Sequence, residues 1–230
     1  LSIPAFADPE ARDRINAIHA QNGVVIIDPK ATYIDADVRI GPGTVIYPGN
    51  VLEGRTVIGA NCTLLPNNRL RDTELADGVR LESVVADQAE IGAETTVGPF
   101  AFLRPGTKLG ARCRVGDFVE IKNSTIGDLT RISHLTYVGD SDLGEDINLG
   151  CGVVFVNYDG KRKHRTRVGD RAFIGCNVNL VSPVEVGKDA YVAAGSTVTE
   201  NVPAASLCIA RQRQVIKEGW VEERKNAGKL

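Results

Sequence analysis

The feature that most constrains this chain is a recurrence of aliphatic residues at every sixth position. Ile40, Ile46, Leu52, Ile58, Leu64 and Leu70 keep that spacing, as do Ile91, Val97, Leu103, Leu109, Val115 and Ile121. A third run is Val168, Ile174, Leu180, Val186, Val192 and Val198. Such a period fits neither an α-helix nor a simple alternating strand over more than a few residues. It suits a short strand followed by a corner, with the aliphatic side chain inward and a small residue, often glycine as in Ile58-Gly59 and Val115-Gly116, permitting the turn. Three such faces close a coil of about 18 residues, and stacked coils pair their backbones while burying a column of aliphatics. Residues 38–200 then hold about nine coils. Between runs the register slips by about one residue, as from Ile121 to Ile126 and from Val138 to Leu143.

Composition agrees. Aromatic residues are only 5% of the 230, so the core must be aliphatic, and Val and Ile favour strands. With 43% hydrophobic and 24% charged residues the chain can bury a core and is not of a disordered type. A net charge of −2 gives no general electrostatic ground for nucleic-acid binding. No apolar run is long enough to span a membrane, and no charged-then-apolar leader opens the sequence. Five cysteines, odd in number and without a C-x-x-C pair, suggest a reducing compartment rather than a disulfide framework or a zinc site. Among them, Cys151 and Cys176 read as small interior or wall residues. The sequence has no methionine, even at position 1, which suggests a piece of a longer protein.

Two segments stand outside the repeat. Residues 8–22 read as a helix with Asp8 as N-cap, Pro9 at the first helical position and Gly23 as the stop, and with Ala11, Ile15 and Ile18 on one face. Residues 211–230 read as a polar tail around Trp220, lying over the last coil.

The repeat breaks once where chemistry is expected. From Phe155 to Val168 the spacing is 13, where two hexads would take 12, and the intervening pattern is lost. Asp159-Gly160 marks a turn, so a loop leaves the wall, and it carries Lys161, Arg162, Lys163, Arg165 and Arg167. Such a run is either a solvated surface or a grip for an anionic ligand. His134 is the best available proton acceptor, although a lone histidine is more often structural. His19 and His164 have no ligand-like spacing to it, so a histidine-rich metal site is poorly supported. Neither a G-x-S-x-G elbow nor a P-loop occurs.

Several ordered motifs then match one family. Gly116-Asp117-Phe118-Val119-Glu120-Ile121-Lys122, Ser133-His134-Leu135-Thr136-Tyr137-Val138-Gly139-Asp140, Asn148-Leu149-Gly150-Cys151-Gly152, Val156-Asn157-Tyr158-Asp159-Gly160-Lys161 and Ala193-Ala194-Gly195-Ser196-Thr197-Val198-Thr199 strongly resemble one domain of a bifunctional bacterial enzyme. That domain is the acetyltransferase half of N-acetylglucosamine-1-phosphate uridyltransferase / glucosamine-1-phosphate N-acetyltransferase, among the hexapeptide-repeat acyltransferases. The match runs from about Gln21 to Trp220.

The resemblance implies an all-β, left-handed parallel β-helix. It divides the chain into a linker helix (1–24), the β-helical domain (25–210) and a C-terminal tail (211–230). It also implies transfer of acetyl from acetyl-CoA to the amine of glucosamine-1-phosphate, for UDP-N-acetylglucosamine and cell-envelope synthesis. His134 aligns with the catalytic base. Arg104, Lys122, Tyr137 and Asn148 align with sugar-phosphate contacts, and Lys163 with a loop lysine that reaches the phosphate, typically from a neighbouring subunit. Cys151, Asn157, Tyr158, Cys176, Ala194 and Arg211 align with acetyl-CoA contacts. A cytoplasmic homotrimer with shared sites is implied, with no metal needed for acetyl transfer and no nucleic-acid or membrane partner. The uridyltransferase half is expected to be absent, since the repeat begins near residue 38. The tetrahedral oxyanion would be met by backbone N–H groups near Gly150 to Gly152. The alternatives are another hexapeptide-repeat acyltransferase with a different acceptor, a metal-dependent β-helical carbonic anhydrase relative, and a non-catalytic scaffold.

Overall fold

The computed structural model describes residues 5–229. The hexads become strands of two to four residues on the three walls of a parallel β-solenoid. The first wall has 11 strands, from Val25–Ile26 to Leu207–Cys208; the second has 10, from Tyr33–Ile34 to Thr197–Val198; the third has 9, from Arg39–Ile40 to Glu185–Val186. Every pairing between named strands is parallel, and each wall takes every third strand until the last coil, where the third wall has only an isolated bridge from Val186 to Val202. Coiling therefore starts before residue 38, at Val25, and extends past residue 200. The coils are not uniform: Val45 pairs with Thr63, 18 residues on, whereas Arg80 pairs with Thr96, only 16 on. That variation is the register slip seen in the sequence.

The hexad positions form the core. All are buried except Ile40, which is half-buried against it. Burying one such side chain is worth about 1.5–3 kcal/mol, and here the gain repeats along three inward columns. A second inward position lies two residues earlier and often holds a small polar group. Thr44 donates its hydroxyl to the Gly59 carbonyl at 2.9 Å, and Asn68 donates its amide to Asn50 Oδ1 at 2.8 Å. Cys62 and Cys113 occupy this interior position too. Between coils, ion pairs such as Arg71–Asp87, Lys108–Glu90 and Arg171–Asp189 run up the outer walls. Each is exposed and contributes little singly.

The glycine after the aliphatic does not make the turn, except at Gly98, whose φ is 107°. Gly59 has no positive φ; a Cβ on it would lie 2.7 Å from the Ala76 carbonyl carbon of the next coil. Its smallness permits close stacking. The left-handed residue comes two positions later, as at Asn61 with φ 55°.

Helix α1 (Pro9–Gln21) closes the N-terminal end. Asp8 caps it by accepting from the Glu10 N–H at 3.1 Å. The expected apolar face is only partly used: Ile15 packs on the core, but Ile18 is 55% exposed. The buried residue is Asn16, which donates to the carbonyls of Pro29 at 2.8 Å and Thr32 at 3.1 Å. At the other end, residues 211–229 are exposed throughout, including Val215 and Ile216, so the tail stands off the last coil instead of lying over it. Helix α2 (Trp220–Asn226) lies within it. Among the described residues no helix is long and apolar enough to cross a membrane.

Candidate functional site

Two rows of side chains flank the second wall. The first follows the corner between the first and second walls. Asp117 pairs in register with His134, and the ladder continues upward through the turns: Leu135 N–H donates to the Asp117 carbonyl at 3.0 Å, Gly152 N–H to His134 at 3.3 Å, Asn177 N–H to Cys151 at 2.8 Å and Gly195 N–H to Cys176 at 2.8 Å. Asp117, His134, Cys151, Cys176 and Ala194 thus occupy equivalent positions in successive coils, stacked about 4.8 Å apart. The aliphatic stem of Arg211 lies beside Gly195 at the top of this column, 3.6 Å from where a Cβ would stand. Of the two places expected for Cys151 and Cys176, interior or wall, the structure gives the wall. Cys176 is exposed and Cys151 half-buried, both on the outer edge.

His134 is oriented. Its Nδ1 lies 2.6 Å from Asp117 Oδ1. An ionised carboxylate only accepts, so Nδ1 carries the hydrogen, and in the neutral ring Nε2 keeps its lone pair. The hydrogen bond from His134 holds the Asp117 carboxyl below its usual pKa. The approach of the two coils depends on Gly116, where a Cβ would come within 1.9 Å of the Ser133 carbonyl oxygen. A cleft of about 410 Å³ opens beside the pair, bordered by Arg80, Glu82, Arg114 and Pro99.

In the turn above His134 the two glycine N–H groups already have acceptors. Gly150 N–H is committed to the Ile174 carbonyl at 2.8 Å and Gly152 N–H to that of His134, so neither glycine is free to meet an oxyanion. Among the described residues the Cys151 N–H, between them, has no backbone acceptor.

The second row follows the far edge of the second wall. Arg104 donates to Glu120 at 2.7 Å. Asp140, buried at the corner, accepts from Asn123 at 2.6 Å and from Asn157 at 2.5 Å, and the Asn157 amide is also 3.4 Å from the Tyr137 hydroxyl. Lys122 stands beside Lys163. The Lys163 ammonium, aided by partial burial, lowers the pKa of Lys122, and the Asp140 carboxylate opposes that shift. Two ammonium groups held together beside a carboxylate already engaged by two amides leave an uncompensated positive site.

Lys163 comes from the excursion after Phe155. The spacing of 13 to Val168 is one wall-to-wall step with extra residues, not two hexads; the same step one coil below, Val138 to Leu143, takes only 5. The loop folds back on itself, with Tyr158 bridged antiparallel to Lys163. Asp159 holds it, accepting from the N–H groups of Lys161 and Arg162, each at 2.7 Å, and pairing with His164 Nε2 at 2.7 Å. Those contacts, the backbone N–H of Arg162 foremost, keep the Asp159 carboxyl strongly acidic. Arg165 is a strut, donating to both oxygens of Asp142 and to the Asn123 and Ser141 carbonyls at 3.2 Å each. Arg167 pairs with Glu185 at 2.8 Å. Lys163, unlike Arg165 and Arg167, which are bound to carboxylates, meets Lys122.

Within one chain the candidate residues therefore sort unequally. Arg104, Lys122, Tyr137, Asn157 and Lys163 converge at one edge; His134, Cys151, Cys176, Ala194 and Arg211 align at the other. Asn148 stands apart on the first wall, in register between Arg131 and Phe173, and the Tyr158 hydroxyl folds onto Gly160. The sequence reading missed Asp117 and Asp140 as site members. Each lies 17 residues, one coil, from a partner: Asp117 from His134, and Asp140 from both Asn123 and Asn157.

Residues 165–200 match the family described as bacterial transferase hexapeptide (six repeats). The chain is 56% identical over 211 residues to bifunctional protein GlmU of Clostridium acetobutylicum, covering 92% of this chain and 46% of that protein. It is 54% identical over 220 residues to bifunctional protein GlmU of Clostridium novyi, covering 96% and 48%. The chain thus spans about half the length of these relatives. Two solved acyltransferases share the fold. They are UDP-N-acetylglucosamine acyltransferase of Francisella novicida, at TM-score 0.59 and 20% identity over 81% of this chain and 67% of that one, and LpxA, a UDP-N-acetylglucosamine acyltransferase from Bacteroides fragilis, at 0.56 and 17% over 81% and 71%.

Proposed function

Because this chain belongs to the hexapeptide-repeat transferases, in the branch that includes bifunctional GlmU, we propose that it transfers acetyl from acetyl-CoA to the amine of glucosamine-1-phosphate. The single observation that carries this reading is the His134–Asp117 pair at one end of the small-residue column, at 2.6 Å. The column offers an acyl-CoA a narrow groove with Arg211 at its far end, and it brings a thioester to His134.

In this reading the sugar phosphate lies across the second wall. Its phosphate meets Lys122 and Lys163, with Arg104 beside them, and Tyr137 underlies the ring. Its ammonium must lose a proton before it can attack the thioester carbonyl, and His134 Nε2 takes it, a role typically worth ~10²–10⁴-fold in rate. The Cys151 N–H is the donor best placed to meet the oxyanion that develops on the carbonyl oxygen. Collapse of that intermediate releases CoA thiol, and no acyl-enzyme is needed.

A cytoplasmic homotrimer belongs to the same proposal. Its support is an apolar ridge on the edge that carries His134: Phe100 is 59% exposed, and Phe118 and Leu135 are each 57% exposed, with the two phenylalanine rings stacked 5.5 Å apart. Lining that edge with large apolar groups suits burial against another copy. The contact would set Asn148 of a neighbouring chain against the groove.

The test is thiol release from acetyl-CoA with glucosamine-1-phosphate, and with plain glucosamine as the control. Turnover is expected only with the phosphorylated sugar. Equal turnover with both would overturn the phosphate grip, and none with either, in a folded protein, would overturn the acceptor assignment.

A further inference from the structure

Cys151 and Cys176 hold equivalent positions in adjacent coils. Leu149 pairs with Ile174 two residues before them, and the Asn177 N–H donates to the Cys151 carbonyl at 2.8 Å. Equivalent residues on neighbouring strands lie about 4.8 Å apart at Cα, inside the span of about 4.4–6.8 Å that a disulfide bridges. Both are free thiols, Cys176 exposed and Cys151 half-buried. They sit in corner turns, not strand interiors, and Gly150 packs directly against Cys176, where a Cβ would lie 2.6 Å from the Cys176 nitrogen. The remaining cysteines are placed differently: Cys62 and Cys113 are interior, and Cys208 lies inward on the last strand of the first wall.

We propose that Cys151 and Cys176 form a dithiol modification site, oxidised by small disulfides to an intrachain bridge that narrows the groove leading to His134. The occlusion rests on the acyl-CoA reading above; the bridge itself does not. The Cys176 thiolate attacks one sulfur of a disulfide RSSR, forming a mixed disulfide and releasing RS⁻. The Cys151 thiolate then attacks the Cys176 sulfur and expels the second RS⁻. Two protein thiols are oxidised, one RSSR is reduced to two RSH, and the two thiol protons leave on the released thiols.

The experiment treats the full chain with oxidised glutathione and reads three quantities: peptide masses, acetyl-CoA binding by calorimetry, and thiol-release rate. The expected result is a linked pair of the peptides bearing Cys151 and Cys176, slowed by prior addition of acetyl-CoA. Acetyl-CoA affinity falls by at least about tenfold and returns with dithiothreitol. In Cys176→Ser the link cannot form, and oxidant changes that variant's own affinity by less than about twofold. Glutathione held on Cys176 with no link to Cys151, or both thiols left free, overturns the site. A link formed with unchanged acetyl-CoA affinity overturns the occlusion. An unoxidised chain that fails to bind acetyl-CoA overturns the groove reading and the occlusion with it, while the bridge is judged by mass alone.

Discussion

Asp117 Oδ1 accepts a hydrogen bond from His134 Nδ1 across one coil boundary, at 2.6 Å, between residues paired in register. The pair fixes the ring's tautomer and aims Nε2 outward. It also places a negative charge behind a ring that becomes cationic when it accepts a proton.

Replacing the carboxylate tests that arrangement. Asp117→Asn keeps the shape but removes the charge and lets the side chain present a donor to Nδ1. The expected outcome is a fall in kcat of ~10-fold or more with KM for both substrates held within about twofold, read by steady-state thiol release. A change confined to KM would assign Asp117 to binding.

The same pair sets an acid dependence of stability. The Asp117 carboxyl is held below 3.8 by its bond to His134, so the group stabilises the fold fully above that value. The contribution is lost as pH falls through the depressed folded value. The stability difference between the protein and Asp117→Asn, from urea unfolding, should therefore be largest from mild acidity upward and shrink as pH drops below about 4. A difference that grows with acid would contradict the assignment.

Lys122 and Lys163 make a paired prediction. Lys163→Ala should raise KM for the sugar phosphate by ~10-fold or more with a smaller change in kcat. The same substitution removes the neighbouring ammonium that lowers Lys122, so its titration, followed by NMR of the side chain, should move up toward the ordinary 10.5. Unchanged KM with a shifted titration would mean that the two lysines are neighbours without a shared ligand.

Gly116→Ala probes how closely the coils must stack at the site. The added methyl would sit 1.9 Å from the Ser133 oxygen, so the strand bearing His134 must move. A stability loss of about 1–3 kcal/mol is expected from such overpacking, together with a fall in rate larger than that of an alanine placed on an exposed wall position such as Thr125. Equal effects would show that the spacing is not critical.

Much of this fold was legible because its rule is periodic. The hexads marked which side chains face inward, and the runs at 40–70, 91–121 and 168–198 each wind through all three inward columns. What the period could not supply was the job of the glycines, since a close approach to another coil and a turn select the same residue. Nor could it reveal that Ile18 faces solvent while Asn16 is buried, because that depends on carbonyls from Pro29 and Thr32 that the helix meets only in three dimensions. The basic loop was found by its interruption, but charge alone did not separate Lys163 from Arg165, which is bound to Asp142. Asp117 and Asp140 stayed hidden because their partners are one coil away, and coil length is known only after the slips are located.

The stacked corner also acts as a ruler. His134 and Ala194 are separated by a whole number of coils, so the reach from His134 to Arg211 can change only in steps of about 4.8 Å. Insertion or removal of one coil between Gly152 and Ala194 would shift the far anchor by one such step and leave each remaining layer seated on a neighbour of the same shape. Selection among acyl carriers of different length then becomes a matter of counting layers, a discrete variable that point substitutions along the groove cannot imitate.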